Sequence, residues 1–182
     1  MKKILTIAAL LSALTMSASA SEISAFGGSV YGNADYGVNI KVEDFSYVNS
    51  SLELRMTEAN QNEGKFFVGK GFEAFEIGAI TGFNIYNVNG EIDPATGMLT
   101  KRTDLDFFVG MQVNYYVSIF ELKTSVKYDW NFTNTDNVNY EIGADIVANL
   151  DDNIFGYFNY NKKVLSAETA LDTSIIGLGY RF

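Results

Sequence analysis

The 182-residue chain contains no cysteine and no histidine. Without cysteine it has no disulfide, although small exported domains often depend on disulfides for their stability. Without both residue types it cannot form a Ser-His-Asp or Cys-His catalytic site. The carboxylates of Asp104 and Asp106 remain formally available for acid–base chemistry, but nothing beside them indicates a substrate cleft. We therefore predict that the protein is not an enzyme.

Patterns typical of metal or cofactor sites are also missing. The segment Asp129–Glu141 superficially resembles a calcium loop, but an EF-hand requires glycine at position six and glutamate at position twelve. Those two positions hold Asn134 and Tyr140. We predict no cofactor and no bound metal, and we interpret this segment as a polar surface loop.

Long hydrophobic runs are absent after residue 20, where no stretch approaches the roughly 18 apolar residues that indicate a transmembrane helix. Before that point, two lysines precede an apolar stretch from Ile4 to about Leu14, and the small residues of Ser17–Ala20 follow. This order is typical of a cleaved secretory signal peptide. The apolar stretch is too short for an anchor helix. We predict a signal peptide at 1–20 and one domain at 21–182.

The predicted mature chain is acidic. The signal peptide carries two of the 13 Lys and Arg residues and none of the 22 Asp and Glu residues, which leaves a net charge of −11. Nucleic-acid binding requires clustered basic residues that neutralise phosphates, so we predict no nucleic-acid partner.

The dominant hydrophobic period of the chain is two, which predicts β-strands with one apolar and one polar face. In the segment 120–130 every second residue from Phe120 to Trp130 is apolar or threonine, and the residues between them are charged or serine. Similar alternation occurs in segments 36–43, 52–56, 75–85, 105–115 and 138–149. Segments 64–73 and 153–163 do not show which face is which. The fold class is therefore predicted to be all-β.

Two architectures fit such strands: a soluble barrel or sandwich with the apolar face inside, and a membrane barrel with the apolar face toward lipid. Three features favour the membrane barrel. Several segments reach the roughly 9–11 residues that cross a bilayer, and the polar face carries glycine and charges of both signs. Aromatic residues also recur near segment ends, as in interfacial girdles; these are Tyr36, Phe75, Tyr86, Tyr115, Trp130, Tyr140 and Tyr180.

The final segment resembles the C-terminal recognition strand of Gram-negative outer-membrane β-barrel proteins. Phe182 and Tyr180 supply the terminal aromatic pattern, and Leu178 and Gly177 complete it, whereas Ile175 stands where a polar residue is common. The resemblance implies recognition by the outer-membrane barrel assembly machinery through Gly177, Leu178, Tyr180 and Phe182. The layout also resembles the class that includes OmpX- and OmpA-type barrels, and more loosely the YfaZ family.

The segments predict an antiparallel transmembrane up-and-down barrel of about ten strands, with eight as the alternative. Short links are predicted near 116–118 and 149–152. Longer polar connections are predicted near 57–63, 87–102, 131–137 and 164–171, and the connection 87–102 contains the only proline, Pro94. Such an alternation is typical of hairpins whose two ends face different environments.

The polar face predicts a narrow lumen in which charges must pair, because an unpaired charge away from water is costly. We expect pairs such as Glu53 with Arg55 or Lys123 with Glu141. The candidate lumen charges are Glu53, Arg55, Asp104, Asp106, Glu121, Lys123, Lys127, Asp129, Glu141 and Asp145.

These features predict a small integral outer-membrane barrel with a structural or surface-interaction role. Its expected partners are outer-membrane lipid and the assembly machinery, and we expect a monomer. One alternative is a narrow, weakly cation-preferring channel for small solutes, because the lumen has an excess of acidic residues. A second alternative is a soluble periplasmic β-barrel that binds an apolar ligand.

Overall fold

The computed structural model describes residues 20–30, 33–43, 49–57, 61–92, 99–132, 138–164 and 170–182. They form ten antiparallel strands that close into one barrel. The strands are β1 (Ala20–Val30), β2 (Asn33–Glu43), β3 (Asn49–Thr57), β4 (Gln61–Gly71), β5 (Phe75–Ile92), β6 (Leu99–Val117), β7 (Phe120–Asn131), β8 (Val138–Asn149), β9 (Ile154–Val164) and β10 (Ala170–Arg181). The predicted ten-stranded up-and-down barrel is confirmed, and the eight-stranded alternative is wrong.

The barrel closes where β1 pairs with β10. Their ladder runs from Glu22 opposite Arg181 to Val30 opposite Thr173. Closure removes the exposed strand edges that would otherwise pair with other chains. No helix among the described residues is long and apolar enough to cross a membrane. Residues 1–19, most of the predicted signal peptide, lie outside the described residues, so that assignment stays a prediction.

The outer face of the barrel is apolar. Leu122, Val126 and Ile142, which the alternation directs to one face, are exposed on the outside of neighbouring strands. Among the outward strand residues whose side chains are described, only Lys70, Lys162 and Asp172 are charged, and all three lie near strand ends. An apolar outer band around a polar interior is the distribution of a transmembrane barrel and the inverse of a water-soluble one.

Aromatic side chains lie on the outside near both ends of the strands. At one level Tyr128 stands opposite Tyr140, and the rings of Tyr128 and Trp130 meet edge to face with centroids 4.9 Å apart. Near the other end lie Phe75, Tyr115, Phe120 and Tyr180. Tyr36 is also exposed, whereas the side chain of Tyr86 lies outside the described residues. Amphipathic rings at both levels suit the two interfaces of a bilayer.

The strands begin and end at two levels of the barrel. We call the end where β1 begins and β10 ends the proximal end, and the opposite one the distal end. The proximal end carries the links 72–74, 118–119 and 150–153, and Ser118 adopts a positive φ of 55° in the two-residue turn between β6 and β7. The predicted short links near 116–118 and 149–152 lie here.

The predicted polar connection 87–102 is wrong for most of its length. β5 continues to Ile92 and β6 begins at Leu99, and the two strands stay paired through Asn87 opposite Thr103 and Val88 opposite Arg102. Backbone hydrogen bonding extends the hairpin because the ladder does not depend on apolar side chains. β5 and β6 are consequently the longest strands, with 18 and 19 residues.

The two ambiguous segments have their faces fixed by their neighbours. In β4 the Phe67 side chain points inward and Phe66 and Val68 point outward. In β9 Phe155 and Tyr157 point inward. Apolar residues therefore occupy both faces of β4 and β9, and this is why periodicity alone could not orient them.

We expect Val126→Arg to reduce stability by about 2–4 kcal/mol, because Val126 lies in the middle of the outward face of β7 and a charge at the bilayer midplane is costly. The measurement is reversible urea unfolding in lipid vesicles. Glu73→Arg, in the exposed turn after β4, is the control and should change stability little. Equal stability of the Val126 variant and the unmodified protein would contradict the outward assignment.

Candidate functional site: the charged lumen

All ten candidate lumen residues lie on inward-facing positions of the barrel. Seven are buried: Arg55, Asp104, Asp106, Glu121, Lys127, Asp129 and Glu141. Glu53, Lys123 and Asp145 are partly buried. Directly opposite residues of neighbouring strands share a face, and the register aligns these ten positions around the interior.

Other charged residues that are not among the ten candidates also face the lumen. Glu63, Lys65 and Lys163 belong to β4 and β9, the two strands whose faces the pattern left open. In β9 the alternation of Asn159, Asn161 and Lys163 with the intervening residues was the available signal, but the inward aromatic residues obscured it.

Lys127 forms the first cluster that crosses the lumen. Its ammonium group donates to Glu63 at 3.1 Å and to Glu141 at 2.9 Å. β4 and β7, which carry Glu63 and Lys127, are not neighbours in the sheet, so this bond spans the interior. The same ammonium lies 4.7 Å from the centroid of the Phe108 ring. Both carboxylates and the lysine are almost fully buried.

Lys163 forms the second cluster. It donates to Asp106 of β6 and lies 3.2 Å from an oxygen of Asp129 in β7. Both strands are separated from β9 by at least one other strand, so this cluster also crosses the lumen. Each lysine is therefore held between two carboxylates on different strands.

The specific pairs expected from the sequence are wrong. Glu53 pairs with Lys65 at 2.7 Å, and Glu141 pairs with Lys127. Lys123 instead lies 3.5 Å from Glu121. Glu53 stands directly opposite Lys65 in the ladder. The sequence does not reveal which residues stand opposite each other in the ladder, and Lys123 pairs with Glu121 on its own strand although Asp145 stands directly opposite it.

The proximal mouth of the lumen carries its own polar layer. Arg181 of β10 bonds Glu22 of β1 and the side chain of Asn149, and its guanidinium lies 4.8 Å from the ring centroid of Phe155. Lys41 pairs with Glu43 beside it. Charged groups therefore meet across the seam where the barrel closes.

Apolar side chains occupy the space that the ion pairs leave. Phe108, Ile80 and Phe67 point inward on one wall, and Phe26, Val30 and Ile175 form a buried cluster on the opposite wall. Gly82 stands opposite Phe108, and a Cβ on Gly82 would lie 2.7 Å from that ring. The interior is thus filled by side chains, as expected for a barrel of few strands.

The lumen is acidic overall. Inward positions with described side chains carry seven cations, Lys41, Arg55, Lys65, Lys123, Lys127, Lys163 and Arg181, and twelve carboxylates, Glu22, Asp35, Glu43, Glu53, Glu63, Glu76, Asp104, Asp106, Glu121, Asp129, Glu141 and Asp145. Within the described residues, no three acidic groups are arranged to hold a metal ion.

The four predicted assembly-signal residues lie in or directly after β10. Leu178 and Tyr180 point outward and are exposed, and the Tyr180 and Phe182 rings meet edge to face with centroids 5.2 Å apart. Gly177 faces inward, where a Cβ would collide with the Tyr157 ring. Their recognition by an assembly machinery stays a prediction.

No protein-family model matches the chain, and no curated protein matches it. Solved structures do match. The N-terminal β-barrel domain of Pseudomonas aeruginosa OprF is 13% identical over 91% of this chain and 98% of its own, with a TM-score of 0.44. The KdgM porin is 10% identical over 88% of this chain and 99% of its own, with a TM-score of 0.49. The NanC porin is 14% identical over 88% and 98%, with a TM-score of 0.47. The predicted similarity to the YfaZ family is not confirmed.

We expect Lys127→Ala to destabilise the barrel by about 3–5 kcal/mol, because Glu63 and Glu141 would stay buried after losing the ammonium group that bonds both of them. Urea unfolding in detergent micelles measures the loss. The control is Lys162→Ala, which removes a lysine from the outward face and should change stability by no more than about 0.5 kcal/mol. A similar effect of both variants would show that the cluster does not stabilise the fold.

Proposed function

We propose that the protein is a small integral outer-membrane β-barrel whose lumen is closed by charge-paired side chains, with a structural or surface-interaction role and no enzymatic activity. The observation that carries the proposal is the inverted polarity of the barrel: an apolar exterior and an interior in which lysines are held between carboxylates. Water would be a poor solvent for that exterior, whereas the hydrocarbon core of a bilayer suits it.

The crossing ion pairs support a closed lumen. The clusters of Lys127 and Lys163 join strands on different sides of the barrel, and their charged groups are at most 4% exposed. The inward Phe108 ring lies against one of them. A solute would have to break these contacts to pass, so a structural barrel fits the interior better than an open pore does.

A narrow cation-preferring channel is the second candidate. Twelve described inward carboxylates face seven cations, and charged rings of one sign select ions of the other sign. Movement of the crossing lysines would leave an acidic path. Both candidates are forms of an outer-membrane barrel. For either one we propose association with outer-membrane lipid, insertion by the assembly machinery and a monomeric state.

Planar-bilayer recording distinguishes the two candidates. We expect the unmodified protein to be silent and the double variant Lys127→Ser, Lys163→Ser to show discrete openings that prefer potassium over chloride, because two crossing side chains are shortened and two positive charges are lost. The matched control is Lys70→Ser, Lys162→Ser, which removes two outward lysines and should stay silent. Steady openings of the unmodified protein would favour the channel, and a silent but folded lumen variant would show that the lysines do not close the pore.

Fractionation tests the membrane location itself. We expect the protein in the outer-membrane fraction, extracted only by detergent and migrating differently on gels before and after heating, because the apolar exterior requires lipid or detergent. Release into the soluble periplasmic fraction without detergent would favour the third possibility, a soluble barrel that binds an apolar ligand.

A further inference from the structure

The three described links at the proximal end each carry one large apolar residue. These are Phe72 in the link 72–74, Ile119 in the link 118–119 and Leu150 in the link 150–153, and we call them the proximal rim. Their side chains are 50%, 49% and 62% exposed. Turns that face water usually consist of glycine, asparagine, aspartate or serine. Exposed apolar side chains in all three links therefore indicate an apolar partner.

The proximal rim extends the apolar outer face past the ends of the strands. The Phe72 ring stacks on the ring of Phe75, an outward residue of β5, with centroids 4.7 Å apart. Leu150 turns back toward β9, where a Cβ on the outward Gly156 would lie 3.9 Å from Leu150 Cδ1. Ile119 lies between two exposed outward residues at the ends of β6 and β7. The rim is thus continuous with the lipid-facing band of the barrel.

The distribution of the proximal rim around the barrel favours lipid over a protein partner. Its three links join β4 to β5, β6 to β7 and β8 to β9, and these six strands are consecutive in the ring of ten. The rim therefore follows more than half of the circumference. A bilayer meets all sides of a barrel at one level, whereas a docking site for another protein is usually a single contiguous patch.

Charged residues next to the proximal rim are placed as a membrane interface requires. Glu73 follows Phe72, and Asp151 and Asp152 follow Leu150, and all three acidic residues are exposed. Lys70 lies on the outward face near the end of β4, with its ammonium 5.8 Å from the centroid of the Phe72 ring. Lysine side chains beside apolar surface extend their charge toward the polar headgroups, so Lys70 can reach a lipid phosphate.

We propose that the proximal rim is embedded in the bilayer interface, with Phe72, Ile119 and Leu150 among the acyl carbons next to the headgroups and Lys70 at the lipid phosphates. The membrane contact of the barrel then extends beyond its strands at the proximal end. This inference rests on the proposed membrane function, and it adds the level at which the barrel sits in the bilayer.

Tryptophan fluorescence in vesicles of brominated phosphatidylcholine tests the proposal, because bromine quenches rings that contact the acyl chains. The chain has one tryptophan, Trp130, so Trp130→Phe removes the native signal and Ile119→Trp or Leu150→Trp is added to it. We expect both rim variants to lose most of their emission when the bromines lie near the headgroups, and to be protected from acrylamide in the water. The matched control is Asp152→Trp, in the same link as Leu150, which acrylamide should quench and brominated lipid should affect little.

Trp130 in the unmodified protein separates failure of this proposal from failure of the membrane function. It lies on the outward face of β7, so brominated lipid should quench it if the barrel spans the bilayer. A quenched Trp130 together with rim tryptophans that only acrylamide reaches would overturn the proposal and leave the membrane function intact. An unquenched Trp130 would overturn both. Heat-dependent gel migration shows which variants have folded, and either rim variant alone is sufficient for the test.

Discussion

Closure of the backbone ladder is the constraint on which the rest of the structure depends. In an apolar solvent every N–H and C=O group must find its partner within the protein, and a barrel achieves this only when its first and last strands pair. The ladder between β1 and β10 supplies that pairing. Once the ring is closed, alternate side chains must face two different environments, and ten strands leave little space inside. The apolar exterior and the paired charges of the interior both follow from this geometry.

Much of this architecture was readable from local pattern. β7 and β8 alternate between apolar and polar residues, and their apolar residues point outward as the period requires, with the exception of the buried, inward-facing Val147. The sequence did not predict which face points inward where both faces carry apolar residues, as with Phe67 in β4 and Phe155 in β9. It failed again in the long hairpin of β5 and β6, where polar residues such as Asn87 continue the ladder. The hydrophobic period of a strand reflects the difference in polarity between its two faces. It therefore does not identify the inward face where that difference is small.

The residues that line the lumen could largely be predicted from the sequence, but their contacts with one another could not. The inward position of Lys127 follows from the alternation of its own strand. Its partner Glu63 lies 64 residues earlier in the chain, and only the ring of ten strands brings the two together. The same holds for Lys163 and Asp106, which are 57 residues apart. Cross-lumen partners depend on strand number and register, which no single segment contains.

Buried ion pairs are weak evidence for stability, since desolvation offsets much of their attraction. They are better evidence for register. A slip of one residue in β7 would move Lys127 to the outer face and bring Val126 into the lumen. The apolar outer face and the charged inner face of β7 therefore both disfavour this shift in register.

The bond between Lys127 and Glu63 also has a mechanical consequence. Backbone ladders hold the circumference of a barrel but resist flattening of its cross-section only weakly, since neighbouring strands can pivot about their hydrogen bonds. A side-chain contact across the lumen, here between strands three positions apart in the ring of ten, opposes such flattening, because an oval cross-section must lengthen or compress it. The contacts of Lys127 and Lys163 across the lumen therefore oppose flattening of the barrel.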